Sequence, residues 1–124
     1  MTIMEAISRI DEVKPNAYSQ TEKVNWLSTI DGMIKREIID THEGGEGVIF
    51  NGYNDETPIT TELLVSAPYD LLYLRWLEAQ IDYAMGEYAR YDSTATAFND
   101  AYDKVDELTQ EIMGPFTGML GGLV

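Results

Sequence analysis

The one histidine of the chain lies among carboxylates. His42 follows Asp40 and precedes Glu43 and Glu46 in a glycine-rich stretch. An imidazole with several carboxylates could bind a hard divalent cation. The same residues are also typical of a solvated helix end, where the helix dipole favours a histidine beside the last carbonyls. We adopt the second interpretation and predict no metal site.

Two pairs of carboxylates are spaced for a shared helix face. They are Glu78 with Asp82 and Asp103 with Glu107. Such pairs can act in general acid–base chemistry or hold a metal, but on amphipathic helices of an acidic protein they are typical of a solvated face. Because the chain has no cysteine, thiol catalysis and thiolate metal sites are excluded. We predict no catalytic residues, no cofactor and no enzymatic activity.

The charge balance restricts the class of partner. The chain has 22 acidic and 8 basic residues, for a formal net charge of −14. Phosphate contacts need clustered Lys and Arg, and Lys35 and Arg36 are the only adjacent basic pair. We therefore expect no sequence-specific nucleic-acid binding. No apolar run approaches the roughly 20 residues that span a bilayer, and the chain starts without the pattern of a signal peptide, so we expect no membrane association.

Capping signals and apolar periodicity predict two helices in the first third of the chain. Thr2 with Glu5, and Ser19 with Glu22, have the spacing of capping boxes. A first helix is predicted up to Pro15, and a second over residues 20–41. Their predicted buried stripes are Ile3, Ala6, Ile7, Ile10 and Val13, then Val24, Leu27, Ile30, Ile34 and Ile38. Asp31 is predicted to pair with Lys35 on the surface, and Gly32 to mark a close contact between helices.

The second half of the chain predicts two more helices. Pro68 is expected in the first turn of a third helix that ends near Tyr91. This helix has apolar residues on two adjacent sides, which is typical of a helix at the centre of its domain. A fourth helix should start at Asp92 or Ser93, with Phe98, Ala101, Tyr102, Val105, Leu108 and Ile112 inward. We predict an all-α fold, a small bundle of about four helices over residues 1–111.

The segment between the second and third helices, residues 43–61, should form a long loop or a short β-hairpin. Its glycines and the Asn51-Gly52 and Thr57-Pro58 steps exclude a helix. Loops of this length in compact domains are often functional. We therefore predict that its apolar residues, Val48, Ile49, Phe50 and Tyr53, form a second contact surface.

The last segment, residues 112–124, carries no charged side chain although the rest of the chain is acidic. Its apolar residues recur at helical spacing, and its glycines would occupy the opposite face. A segment of this kind gains little from standing alone in water, so we predict that it binds a partner protein. The predicted contact residues are Ile112, Phe116, Met119, Leu120, Leu123 and Val124. A frayed chain end is the alternative.

Two stretches of the chain resemble a known family. One covers residues 11–32, with Lys14-Pro15-Asn16, Tyr18-Ser19, Lys23, Trp26-Leu27-Ser28 and Asp31-Gly32. The other covers residues 69–99, with Tyr73, Trp76, Ala79, Ile81-Asp82, Gly86-Glu87, Tyr91 and Phe98-Asn99. Together they resemble the head–tail connector (adaptor) proteins of tailed phages and prophages. These are small helical bundles with an extended loop.

This resemblance implies a structural protein of the virion neck. It would be made in the bacterial cytoplasm and would lie at the head–tail interface, as a homo-oligomeric ring that docks on the portal protein and meets tail-side neck proteins. By position, the tail 112–124 would contact the portal, and the loop 43–61 would contact neighbouring copies. The sequence departs from the family pattern after about Lys104, where it becomes Gly-rich and apolar.

Two other functions are compatible with the sequence. One is a small metal-binding or carboxylate-based helical enzyme, which would bring His42 and carboxylates around a pocket. The other is a regulatory module that binds one partner helix in a groove lined by Trp26, Tyr73 and Trp76. The stoichiometry of binding separates this module, which binds one-to-one, from a ring-forming adaptor.

Overall fold

The computed structural model describes residues 1–41 and 45–108. This part of the chain is a small all-α bundle of four helices, as predicted. They are α1 (Ile3–Val13), α2 (Gln20–Ile34), α3 (Leu71–Ala84) and α4 (Tyr88–Leu108). A π-helical turn, Lys35–Ile39, continues α2, and a 3-10 turn, Gly45–Gly47, begins the long connection to α3. None of the helices in the described ranges is long and apolar enough to cross a membrane.

Both predicted helix starts are confirmed. The Thr2 hydroxyl accepts from the Glu5 amide while the Glu5 carboxylate accepts from the Thr2 amide, which completes a capping box. The Ser19 hydroxyl accepts from the Glu22 amide at the start of α2. Each side-chain acceptor satisfies an amide that the helix itself leaves unpaired. The buried stripe of α1 is also confirmed, except that Val13 at its end is 68% exposed.

The π-helical turn changes which residues at the end of α2 face the core. The Asp40 amide donates to the Lys35 carbonyl five residues earlier, at 2.9 Å. This wider turn takes one residue more than an α-helical turn, so both Ile38 and Ile39 are fully buried. The predicted stripe contained Ile38 alone. The five predicted core residues of α2 and its continuation are all buried.

The third helix is central, as predicted, but its limits were wrong. α3 packs against each of the other three helices, and its buried residues lie on more than one side. It begins at Leu71, after a turn that contains Pro68, so Pro68 is outside the first helical turn. Tyr83, an apolar residue at the end of α3, is 58% exposed.

A glycine separates α3 from α4, so the predicted continuous helix up to Tyr91 is wrong. Gly86 has a φ of +74°. Its amide donates to the Tyr83 carbonyl at 3.1 Å, and the Glu87 amide donates to the Asp82 carbonyl at 2.9 Å. These two bonds form a Schellman motif, which ends a helix with a left-handed residue. α3 and α4 therefore pack as a helical hairpin, and Phe98 and Val105 of α4 are buried as predicted.

The connection between α2 and α3 is the predicted long loop, and residues 48–53 run without regular structure. Gly32 contacts this loop and not another helix, since a Cβ there would lie 3.9 Å from the Phe50 ring. The return part of the loop lies along the start of α1, where the Ile3 and Met4 amides donate to the Thr61 and Ile59 carbonyls at 3.0 and 2.9 Å. The loop thus satisfies amides that α1 leaves unpaired.

We predict that Gly86→Ala destabilises the protein by about 1 kcal/mol, because an L-residue pays a steric cost in the left-handed region. No atom lies within 4 Å of the Cβ position at Gly86, so the cost comes from the backbone alone. Gly47→Ala is the matched control, since its Cβ would also meet open space and its φ is not positive. Urea unfolding of both variants tests this, and a Gly86→Ala protein as stable as Gly47→Ala contradicts it.

Candidate functional site

A buried carboxylate lies where α2, α3 and the long loop meet. Asp31 is fully buried. Its Oδ1 accepts from the Tyr73 hydroxyl at 2.6 Å, and its Oδ2 accepts from the Tyr53 hydroxyl at 2.5 Å and from the Leu64 amide at 3.1 Å. The Tyr73 hydroxyl in turn accepts from the Val65 amide at 2.8 Å. We call Asp31, Tyr53 and Tyr73 the Asp31 cluster.

Burial dominates the electrostatics of this cluster. It raises the pKa of Asp31 from 3.8 to about 6, although the hydrogen bonds from Tyr53, Tyr73 and Leu64 oppose the shift. The pKa values of Tyr53 and Tyr73 are raised by burial and then by the neighbouring carboxylate. Both tyrosines therefore keep their protons and donate hydrogen bonds to Asp31. With every member buried and bonded inside the chain, the arrangement acts as a structural anchor for the loop.

The predicted surface pair of Asp31 with Lys35 is wrong. The Lys35 amine pairs with Asp40 instead, while Asp31 points into the core. Its position carried a signal that could have been used, because Asp31 lies four residues after Leu27 and three before Ile34, inside the predicted apolar stripe. A single acidic residue at such a position is buried with the stripe and must find polar partners.

In each of two further ion pairs, one of the two partners is buried. Asp82 is 1% exposed, and its carboxylate accepts from the Lys14 amine at 2.6 Å and from the Thr94 hydroxyl at 3.1 Å. The Lys23 amine is 3% exposed and donates to Asp11 at 2.6 Å. The interpretation of Asp82 as part of a solvated face is therefore wrong, since it joins α1, α3 and α4. In the other pair, Asp103 and Glu107 are exposed on α4.

The loop residues assigned to contacts between copies occupy different environments. Tyr53 is buried in the Asp31 cluster, and its amide donates to the Ser28 hydroxyl at 2.9 Å. Val48 and Phe50 are partly buried against the core. Ile49 is 82% exposed. Tyr53 is thus used inside its own chain, and the inter-subunit prediction for this loop now rests chiefly on Ile49.

Several other predicted site residues lie outside the described part of the chain. These include His42 and Glu43 and all the predicted contact residues of the tail, which are Ile112, Phe116, Met119, Leu120, Leu123 and Val124. Across residues 1–41 and 45–108, no group of three histidine, aspartate or glutamate side chains is placed to hold a metal ion.

The groove expected from Trp26, Tyr73 and Trp76 is not open. Tyr73 is fully buried, and the Trp76 indole donates to the Trp26 carbonyl at 2.7 Å. The ring of Phe98 from α4 lies 4.9 Å from that of Trp76, between ring centroids. The fourth helix of the chain thus covers the surface that a partner helix would have used.

An exposed aromatic group lies at the turn between α3 and α4. Tyr83 contacts Tyr88 and Tyr91 edge-on, with ring centroids 5.7 and 5.2 Å apart. Tyr83, Met85 and Tyr88 are 58%, 53% and 62% exposed. Contiguous exposed apolar side chains of this kind mark interaction surfaces more often than isolated ones do. We call Tyr83, Met85, Tyr88 and Tyr91 the aromatic tip.

A shallow groove lies on the outer side of α2. It has a volume of about 550 Å³ and is lined by α2, the π-helical turn and the loop, including Ser28, Gly32, Lys35, Arg36, Asp40 and Phe50. Gly32 lies beside the Phe50 ring, where a Cβ would make an ordinary van der Waals contact at 3.9 Å. The groove brings the adjacent cations Lys35 and Arg36 to one open surface.

We predict that the Asp31 carboxyl group titrates near pH 6. Burial raises its pKa in the folded protein from 3.8 to about 6. The protonated carboxyl group therefore contributes its full stabilisation below pH 3.8, the pKa in the unfolded chain. As the pH rises from 3.8 through about 6, the free energy of unfolding falls by about 3 kcal/mol in total. Carbon-13 NMR of the carboxyl group measures the titration directly. A midpoint near 4 contradicts the prediction.

Tyr53→Phe should raise the pKa of Asp31 further, because it removes one hydrogen bond to the ionised form. Tyr69→Phe is the control, since Tyr69 also packs against the core but does not contact the Asp31 carboxylate. The same titration follows both variants. An equal midpoint in wild type and Tyr53→Phe shows that the hydroxyl does not stabilise the carboxylate.

Comparison of the chain with models of protein families, with curated proteins and with solved structures found no match in any of the three.

Proposed function

We propose that this chain is a non-enzymatic structural adaptor of a phage or prophage virion neck. It docks on the portal protein and forms an oligomeric ring between head and tail, where it also meets tail-side neck proteins. The observation that carries the proposal is the position, in the fold, of the residues that resemble the family. They include Lys14, Lys23, Asp31, Tyr73 and Asp82, which make long-range polar contacts within the bundle.

The aromatic members of the same motifs support the proposal in the same way. Trp26, Trp76 and Phe98 join α2, α3 and α4 through one hydrogen bond and one ring contact, and Gly86 makes the turn of the helical hairpin. A resemblance limited to exposed residues would say little about the fold. This one concerns residues that hold the helices together, so it favours a shared architecture with the connector proteins.

The use of polar side chains also favours a structural role. The most buried carboxylates, Asp31 and Asp82, have tyrosine, lysine and threonine partners inside the bundle. Catalytic carboxylates instead need to reach a substrate in a pocket. The function we propose needs exposed contact surfaces, and the aromatic tip and Ile49 provide them.

The acidic surface suits a position beside a DNA channel. A formal net charge of −14 repels the phosphate backbone, so DNA passing through a ring of such subunits would not adhere to its wall. The uncharged tail, residues 112–124, is assigned to the portal contact because its apolar composition suits burial against a partner protein.

The test is to mix the purified protein with portal rings of the same virus or prophage and to examine the mixture by electron microscopy and sedimentation. We expect a ring of several copies on the portal. A protein that remains monomeric and unbound, with or without the portal, overturns the proposal. One copy bound to one partner chain, with no ring, would instead indicate a regulatory module.

Within this function, we predict that Ile49→Ser weakens ring formation about tenfold, because burying an isoleucine side chain at a contact contributes about 1.5–3 kcal/mol. Val13→Ser is the matched control, as Val13 is another aliphatic residue exposed by more than half, at 68%. Ring occupancy on the portal measures both. Equal occupancy for the two variants shows that Ile49 lies outside the contact between copies.

A further inference from the structure

The basic residues of this chain are distributed unevenly between its interior and its surface. Of 8 basic residues, Lys14 and Lys23 are held by Asp82 and Asp11 within the bundle. Arg75 pairs with Glu78 along α3. Few cations are therefore left to offset the acidic surface, and two of them, Lys35 and Arg36, lie together in the groove on α2.

Arg36 is the more available cation of the two. Lys35 pairs with Asp40 across the groove. Arg36 is exposed, and within residues 1–41 and 45–108 it forms no ion pair. A guanidinium presents a planar set of donors suited to carboxylates. The groove therefore offers a positively charged donor group that forms no ion pair within the described residues, on a chain with a net charge of −14.

The opposite charge lies on the outer side of α4. Asp100, Asp103 and Glu107 are exposed and, at spacings of three and four residues, share one helix face. This face is turned away from the buried side of α4, which holds Phe98 and Val105. Lys104 lies beside the three carboxylates, so the face keeps a net negative charge. We call it the acidic α4 face.

A closed ring needs two different surfaces on each copy. Copies related by a rotation meet head to tail, so one face of a subunit contacts a different face of its neighbour. For a chain with a net charge of −14, contact between two acidic faces is repulsive, whereas a basic groove against an acidic face is complementary. The groove on α2 and the acidic α4 face are two separate surfaces of this kind.

We propose that the groove on α2 receives the acidic α4 face of the neighbouring copy in the ring, with Arg36 pairing with Asp100, Asp103 or Glu107 of that copy. The inference rests on the proposed function, because it assumes the ring, and it deepens that function by naming the contact between subunits. The contact sets the direction of the ring as well as its stability, since reversing one subunit places like charges together.

The test uses Arg36→Glu in the full chain and measures ring occupancy on portal rings at fixed ionic strength. We expect a loss of about tenfold or more relative to wild type, because the substitution places like charges in contact. Arg9→Glu is the matched control, since Arg9 is exposed on α1 and its substitution changes the net charge by the same amount. Occupancy of this control should stay within about twofold of wild type.

A second variant tests the identity of the partner surface. Asp103→Arg alone should weaken the ring, and the double variant Arg36→Glu with Asp103→Arg should recover most of the lost occupancy, because the two charges exchange places across the contact. Circular dichroism and thermal unfolding check that each exposed substitution leaves the bundle folded. Recovery by the double variant distinguishes a direct contact from a general effect of net charge.

The outcomes separate this inference from the proposed function. If wild type forms rings and Arg36→Glu forms them equally well, the groove is not the contact and the inference fails alone. The inference also fails if Arg36→Glu loses portal docking while the contact between copies is kept, since the groove then serves the portal. If wild type forms no ring with the portal present, both proposals fail.

Discussion

The architecture depends on one buried carboxylate. Asp31 lies inside the apolar stripe of α2, and its two oxygens hold the hydroxyls of Tyr53 and Tyr73 and the amide of Leu64. An irregular segment between α2 and α3 is thereby fixed to α2 at both its outgoing and its returning part. Burying the carboxylate is unfavourable in itself, as its raised pKa shows, so the stability of the site comes from the completeness of its hydrogen bonds.

The use of two lysines inside the bundle explains the charge of the surface. The amines of Lys14 and Lys23 are used to join α1 to α3 and to the start of α2, which leaves the exterior strongly acidic. A monomer of this kind is repelled by other copies of itself and by nucleic acid. Association then requires local features that outweigh the repulsion, such as the aromatic tip, an exposed isoleucine and a groove that gathers two cations. In the ring that we propose, contact at any other pair of surfaces would be disfavoured, so assembly would be selective.

Apolar periodicity and capping residues were sufficient to predict the all-α fold class, the N-caps of α1 and α2, and nearly all of the buried residues of α2. The features that sequence reasoning missed have identifiable physical causes. The break at Gly86 requires a left-handed residue, and the apolar periodicity of residues 69–91 continues across that glycine and conceals the break. Ile39 was missed because a π-helical turn shifts the register by one residue. Asp31 and Asp82 were assigned to the surface because residue type was considered before position. The identity of their partners depends on tertiary contacts between residues far apart in sequence, such as Asp31 with Tyr73, which local patterns do not encode.

The long loop is attached at separate points, at Ser28 and Asp31 on the outgoing side and at Tyr73 and the start of α1 on the return. Between these attachments, residues 54–56 are exposed. Lengthening a loop between fixed ends costs little free energy, because closure entropy grows only with the logarithm of length. Residues inserted in this stretch would therefore leave the bundle undisturbed.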